Sequence, residues 1–228
     1  MGLLGLQAPL AASLGAQTFL STNWVGGKCP LGPDHWLTGF DMYNNLQGEH
    51  DPKQQQLHTL LILEKDLDRA RVHIPGFHDL ELFANAALEK SLQNLYDPAS
   101  EELRLKYAHG LRAGDQTSFF IHRDNKEFPS VLGTAVVKLT ADLAGELPSQ
   151  MQVLGGNVFS YSPGIGSCSI FPADAYHWSL KPQSQTAHLK LAFFFSKKKK
   201  RNVAPVDQVR VRFTPPFLSD SPPFLSDS

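Results

Sequence analysis

The sequence predicts an α+β chain in which helices come first and an all-β core follows, and three observations point there. Residues 79–95 repeat apolar side chains at helical spacing, with Leu80, Phe83, Ala84, Ala87, Leu88, Leu92 and Leu95 on one face. After Gly114 the texture changes to short apolar segments of strand length. Gly, Pro, Asn or Asp lies near most of the breaks between those segments. Helices followed by closely spaced strands describe an α+β chain with a β core.

Taken in order, residues 1–55 are rich in Gly, Pro, Asn and Gln and show little sustained periodicity. They are expected to pack irregularly, as an extension on a domain spanning 56–214. Leu57–Leu63 reads as a buried strand, although a helix stays open for so short a run. Asp79 opens the amphipathic helix. Asp97-Pro98 then looks like the N-cap and first residue of a second helix, with Glu101 and Glu102 in its first turn and Gly110 as its stop. The two helices are expected to buttress a sheet. Its strands are Thr117–Asp124, Ser130–Thr140, Gly156–Tyr161, Ser167–Phe171, Tyr176–Leu180, Ala187–Phe195 and Gln208–Phe213. Residues 215–228 repeat Pro-Pro-Phe-Leu-Ser-Asp-Ser twice, and two prolines per unit suit a disordered tail better than a sheet.

Composition excludes several classes. A chain of 228 residues with 42% apolar and 19% charged side chains is long enough and apolar enough to bury a core. The net charge of -1 provides no global attraction to nucleic acid or membranes, so an electrostatic partner needs a local patch. Cys29 and Cys168 lack metal-ligand spacing and suit a reducing compartment. The apolar stretch 1–20 has no basic start, which argues against a secretory signal. No apolar run approaches the roughly 20 residues of a membrane span, so a soluble protein is expected.

The chemistry concentrates in Phe119-Phe-Ile-His122-Arg-Asp124. Residues i and i+2 of a strand share a face, so His122 and Asp124 point together while Arg123 points away. One imidazole and one carboxylate are two thirds of a 2-His-1-carboxylate set, which leaves coordination positions open on Fe(II). His-x-Asp by itself is weak, because such a pair is more often a surface ion pair. Its context strengthens it: Gly145-Glu-Leu147, Leu154-Gly155-Gly156, Tyr161-Ser-Pro-Gly164, Phe171 and His177 follow in an order that lets a turn at Pro163-Gly164 reverse one strand and the next deliver a third ligand.

From about His122 to Phe195, roughly a third of the chain, the sequence resembles the Fe(II)/2-oxoglutarate dioxygenase superfamily. The resemblance rests on His-x-Asp, a second His about 50 residues later and a basic position one strand beyond. Ala144-Gly-Glu-Leu147, Leu154-Gly155, Tyr161-Ser-Pro-Gly164 and Leu189-Lys-Leu-Ala-Phe-Phe194 are most similar to the TET/JBP-like branch that modifies nucleic acid, with prolyl-hydroxylase-like members as second choice. The resemblance implies a double-stranded β-helix (jelly-roll) core buttressed by the N-terminal helices. It implies His122, Asp124 and His177 as catalytic metal ligands for Fe(II). It also implies 2-oxoglutarate and O₂ as co-substrates in the oxidation of a C–H bond, with a methylated nucleobase as one candidate substrate and a protein side chain as the other.

The sequence departs from the family at the co-substrate anchor. The position that normally carries Arg or Lys aligns with His188 in Thr186-Ala-His-Leu-Lys190. His188 and Lys190 share strand parity, so either has the direction to reach inward. Neither reproduces the bidentate fork of an arginine. Tyr161 is a further candidate for the acid, though a strand aromatic is more often core.

Blander readings stand beside these. His122, Asp124 and His177 taken singly read as an ion pair and an isolated imidazole. His73 and His78 flank Pro75-Gly76 and read as solvated loop residues, and His109 beside Gly110 reads as a partner for a helix C-terminus. Asn125 and Lys126 are substrate contacts or ordinary loop polarity. Lys197, Lys198, Lys199, Lys200 and Arg201 form either a nuclear-localisation or phosphate-contacting patch, or a solvated strand end that discourages edge pairing. A nuclear or cytoplasmic protein is expected. The competing functions are a catalytically inactive jelly-roll that binds nucleic acid through that run, and a cupin-like metal fold, which normally shows more histidines on one strand.

Overall fold

The computed structural model describes residues 6–22, 36–38, 58–113, 122–126, 129–142, 150–153, 158–160, 164–179 and 188–200. In chain order these form β1 (Leu6–Gln7), α1 (Leu10–Thr22), β2 (Trp36–Thr38), β3 (His58–Leu63), a 3₁₀ turn (Glu64–Asp66), α2 (Leu67–His73) and α3 (Phe77–Ser91). The strands β4 (Glu101–Ala113), β5 (Val131–Lys138), β6 (Gln150–Val153), β7 (Val158–Ser160), β8 (Ser167–Pro172), β9 (His177–Ser179) and β10 (His188–Lys199) follow. A seven-stranded sheet has the order β1-β8-β5-β10-β4-β3-β2, and a three-stranded sheet the order β7-β6-β9. Every pairing is antiparallel. Among the described residues no helix is long and apolar enough to cross a membrane.

The large sheet separates two apolar clusters. On one face α3 buries Phe77, Leu80, Ala84 and Leu88 against Ala135 and Val137 of β5, Ile170 of β8 and Leu191, Phe193 and Phe195 of β10. The rings of Phe77 and Phe193 meet with centroids 5.4 Å apart. Gly133 makes the approach possible, because a Cβ there would strike the Leu92 side chain at the end of α3. The other face carries Tyr107, Val131, Val136, Phe171, Ala173, Ala192 and Phe194.

A β-bulge sets which residues reach which face. Phe194 pairs with Tyr107 but Phe195 pairs with Leu105, so Lys106 is the extra residue. Leu103 and Leu105 therefore sit in the helix-side cluster, whereas Tyr107 lies in the other. Beyond the bulge, alternation sends His109 and Leu111 the same way as Tyr107.

Two expectations are corrected. Residues 97–110 are not a second helix. Asp97 accepts bonds from Ala99 N (2.9 Å) and Ser100 Oγ (2.6 Å), which makes Asp97–Ser100 a tight turn, and β4 starts at Glu101. Glu102-Leu-Arg-Leu-Lys106 has period 2, and that alternation, paired along β10 before β4 also meets β3 from Tyr107 onward, outweighs the cap-like start. His109 accordingly lies mid-strand and not at a helix end. The second correction concerns 1–55, where residues 10–22 form α1. Its buried side chains are mostly small (Ala12, Ser13, Ala16) with Phe19 and Leu20 beyond. A face of alanine and serine has little hydrophobic contrast, so its periodicity is faint.

Other elements agree within a few residues: α3 begins at Phe77, and β3, β5, β7, β8, β9 and β10 fall on expected segments. His73 closes α2 and His78 sits in α3, 3.6 Å from Glu81, so neither is a loop residue. Of Thr117–Asp124 only 122–124 are described. Tyr161, Gln208–Phe213 and the repeats of 215–228 lie outside the described residues.

Candidate metal centre

His122 and His177 exchange backbone bonds, His122 N to His177 O at 3.0 Å and His177 N to His122 O at 2.8 Å. This bridge adds the His122 segment beside β9, at the edge of the small sheet. The imidazole centroids lie 4.3 Å apart. Asp124, one alternation along from His122, places Oδ1 3.6 Å from His122 Nε2 and 3.7 Å from His177 Nε2. Ligand atoms of all three lie within 4.8 Å of one another. The structure thus brings together the three side chains that the sequence singled out.

Their surroundings fix the donor atoms. His177 Nδ1 is 3.0 Å from Ala175 O, and donation to that carbonyl leaves the Nε2 lone pair toward Asp124 and His122. Thr134 on β5 donates to Asp124 Oδ2 at 2.5 Å, so Oδ1 is the oxygen turned to the imidazoles. Burial and the neighbouring His122 hold His177 below the ordinary imidazole value against the opposing pull of Asp124, which keeps its lone pair available at neutral pH. Phe171 closes one side, its ring 4.3 Å from that of His177.

Sequence reasoning missed Thr134, because a threonine inside a β-branched strand carries no signal of its own. Replacing it with valine is expected to weaken divalent-metal affinity by about 10- to 100-fold, the range typical of lost second-layer hydrogen bonds. Chelator competition with Mn(II) measures this, and unchanged affinity would remove Thr134 from the site.

The same face of the large sheet continues away from the triad. Thr134, Val136 and Lys138 alternate along β5, opposite Phe194, Ala192 and Lys190 of β10. His109 pairs with Ala192 and lies beside Phe194 and Tyr107, with ring centroids at 4.9 and 5.2 Å. Its Nε2 is buried and has no hydrogen-bond partner among the described residues. Burial, and then His122, push its pKa down to about 4, so the ring is neutral. One position further, His188 and Lys190 are both buried. Burial and Lys138 lower the Lys190 pKa to about 8, with Asp142 working against them.

The basic run is partly engaged within the fold. Lys197, Lys198 and Lys199 belong to β10, Lys197 Nζ lies 3.3 Å from Glu101, and Lys200 Nζ donates to Pro98 O at 2.6 Å. Arg201 lies outside the described residues. A cleft of about 310 Å³ between α2, α3 and β4 is lined by Arg71, Glu81, Leu105 and Phe195, and the last two belong to the helix-side cluster. It is not the triad's pocket.

The chain matches no protein-family model and no curated protein. Among solved structures it is similar to AviO1 from Streptomyces viridochromogenes Tue57, with a TM-score of 0.52, 13% identity and coverage of 86% of this chain and 89% of that one. That likeness is one of fold. A 2OG-Fe(II) oxygenase family oxidoreductase from Burkholderia pseudomallei matches with a TM-score of 0.46 and 14% identity over 86% of this chain and 95% of that one. A Pseudomonas putida prolyl-4-hydroxylase matches at 0.44 and 16% over 82% and 98%.

Proposed function

We propose that the chain is a double-stranded β-helix oxygenase that binds Fe(II) through His122, Asp124 and His177 and uses 2-oxoglutarate and O₂ to oxidise a substrate C–H bond. The observation that carries this reading is the convergence of two imidazole nitrogens and one carboxylate oxygen within 4.8 Å. Two neutral nitrogens and one anion match a facial 2-His-1-carboxylate set for Fe(II), and the bond from Thr134 and the fixed tautomer of His177 suit ligands and not a surface ion pair. Strand order supports the roll: β8-β5-β10-β4 forms one wall, and the His122 segment, β9, β6 and β7 the other.

With metal, 2-oxo acid and O₂ bound, such a centre converts R–H to R–OH while the acid loses CO₂ to become succinate. The chain's own residues do the positioning. Thr134 and the Ala175 carbonyl orient two ligands, while Phe171, Phe194 and Tyr107 line the face with apolar surface that excludes water. Lys190, and not His188, is the better anchor for the distal carboxylate, because its ammonium carries charge at neutral pH from a buried position on the triad's face. The exposed lysines at 197–200 offer a contact to a polyanion, which makes a methylated base in nucleic acid the first substrate class to test, with a peptide side chain as the alternative.

Adding Fe(II) and then 2-oxoglutarate to the protein without oxygen tests the reading. The weak visible absorption that 2-oxo acid chelation gives Fe(II) is expected, and it should be missing in Lys190→Met at co-substrate levels that saturate the wild type. Absence of iron binding would end the reading. The pH dependence has a definite sign. The ammonium form binds the carboxylate, so affinity is full below about pH 8 and falls, up to tenfold per pH unit, as Lys190 loses its proton above it. Calorimetry in buffers of different ionisation enthalpy should show proton uptake on binding at pH 8–9. Turnover with methylated oligonucleotides and with proline-containing peptides, followed as O₂ consumption, separates the two substrate classes.

A further inference from the structure

One edge of β4 is open over its first half. β3 pairs with β4 only along residues 107–112, so residues 101–106 have β10 on one side and, among the described residues, no strand on the other. Two hydrogen bonds fix which backbone groups face that open side. Ser100 O accepts from Lys200 N at 2.8 Å, which turns Ser100 toward β10, and Glu101 N donates to Asp97 O at 2.7 Å, which turns Glu101 away. Alternation then aims the N–H and C=O of Leu103 and Leu105 at the open edge, where they meet no partner among the described residues. Such an edge is a template for a further strand.

Beside this edge lies an apolar groove. Leu103 and Leu105 send their side chains to the helix side, into the cleft of about 310 Å³ between α2, α3 and β4. Leu67 and Phe195 complete an apolar floor, and Leu82 stands at the wall with 54% of its surface exposed. The opposite face of the same stretch carries Glu102, which is exposed, and Arg104, which Glu64 holds at 2.8 Å. A strand that fits here has an apolar residue at every second position, toward the cleft, and polar or basic residues between.

The chain itself contains that pattern. Beyond Lys200 it continues through residues 201–207 to Gln208-Val-Arg-Val-Arg-Phe213, where Val209, Val211 and Phe213 alternate with Gln208, Arg210 and Arg212. The tether is long enough. Lys200 lies beside Ser100 at the start of β4, and two strand spacings, about 10 Å, separate β10 from a strand on the far side of β4. Residues 201–207 can reach about 23 Å when extended.

We propose that residues 208–213 add to the open edge of β4 as a further strand, paired along Leu103 and Leu105. Val209, Val211 and Phe213 cover the cleft and the exposed side of Leu82, while Arg210 and Arg212 fall on the face of Glu102. The added strand satisfies the open backbone groups and removes an edge that would otherwise invite a second molecule. This docking is independent of the metal centre, because the cleft and the triad lie on opposite faces of the large sheet.

Hydrogen exchange of the full chain, followed residue by residue in NMR spectra, tests this. The Leu103 and Leu105 amides face the open edge, whereas the Arg104 amide faces β10 and serves as an internal reference. In V209D/V211D, with carboxylates at two apolar positions, both leucine amides are expected to exchange at least about tenfold faster than in wild type, with Arg104 within about twofold. L82E, at an exposed residue of the cleft wall, is expected to act the same way from the other side of the contact. F217D, in the first repeat, is expected to leave both amides at their wild-type rates. Equal rates in wild type and V209D/V211D, fast or slow, would overturn the proposal, since the edge would then be bare or covered by something else. The same loss of protection in F217D would assign the cover to the repeats instead. Protection that rises with protein concentration, together with a dimer in sedimentation velocity, would assign it to a second copy and overturn docking within one chain.

Discussion

Asp124→Ala is expected to cost more than about a hundredfold in divalent-metal affinity, beyond the 10- to 100-fold typical of changes around a ligand set, and to eliminate turnover. The carboxylate is the one anion among the three candidate ligands, and its Oδ1 lies within 3.7 Å of both imidazole Nε2 atoms. Without it two neutral nitrogens remain, with no charge to offset a dication. The fold is expected to survive, because the bridge between His122 and His177 is made by backbone groups. Thr134 loses an acceptor, at a cost of about 1–3 kcal/mol if its hydroxyl finds no other. Thermal melting separates metal loss from unfolding. A ligand at a hundred times its Kd stabilises by about 2.7 kcal/mol, which for a domain of this size raises Tm by roughly 5–10 °C. That rise should appear in wild type on adding Mn(II) and be absent in Asp124→Ala, whose metal-free melting point should change little. An identical rise in both proteins would show that the metal binds elsewhere, and the triad would revert to an ion pair.

The candidate triad was legible in the sequence for a simple reason. His122 and Asp124 are separated by one residue, and strand parity makes that spacing a statement about direction. His177 was placed by the order of strands and turns. Lys138 was not legible, because a lysine ending a β-branched run reads as a strand stepping into solvent. Only the register with Lys190 and the pairing with Asp142 show it buried. His109 was misassigned for a different reason. Asp97-Pro98 followed by two glutamates imitates a helix start, and that error carried the next dozen residues with it. The alternation of Leu103 and Leu105 with Arg104 and Lys106 is the strand signal in that stretch, and it competes with the cap-like start at Asp97-Pro98. The bulge at Lys106, which turns Tyr107 and His109 to the face that carries the triad, has no sequence signature. It follows from the pairing of β4 with β10, a contact between segments about ninety residues apart.

Gly76→Ala is the substitution expected to destabilise most for the least chemical change. Gly76 lies between α2 and α3 with φ of 77°, the left-handed region, where an L side chain costs about 1–2 kcal/mol. Space is a second and independent obstacle. A Cβ at this position would stand 2.5 Å from Ala12 Cα and would also strike the Ala12 carbonyl, both in the backbone of α1. Backbone cannot swing aside as a side-chain tip can, so the two helices must separate, and overpacking of this kind costs about 1–3 kcal/mol more. The sum, about 2–5 kcal/mol, corresponds to a fall in Tm of roughly 4–20 °C. Gly164 is the control, with nothing within 4 Å of its would-be Cβ, and Gly164→Ala is expected to melt within about 2 °C of wild type. Hydrogen exchange should report the loss first in α1, because Gly15 also packs against Pro75 and the turn is where α1 docks. The effect reaches the metal centre by one route. Gly76 begins α3, the far end of that helix abuts Gly133, and the next residue is Thr134, which holds Asp124. Loosening of α3 should therefore lower metal affinity along with Tm. A protein that melts early yet binds Mn(II) as tightly as wild type would show that the helical layer supports the sheet without positioning the ligands.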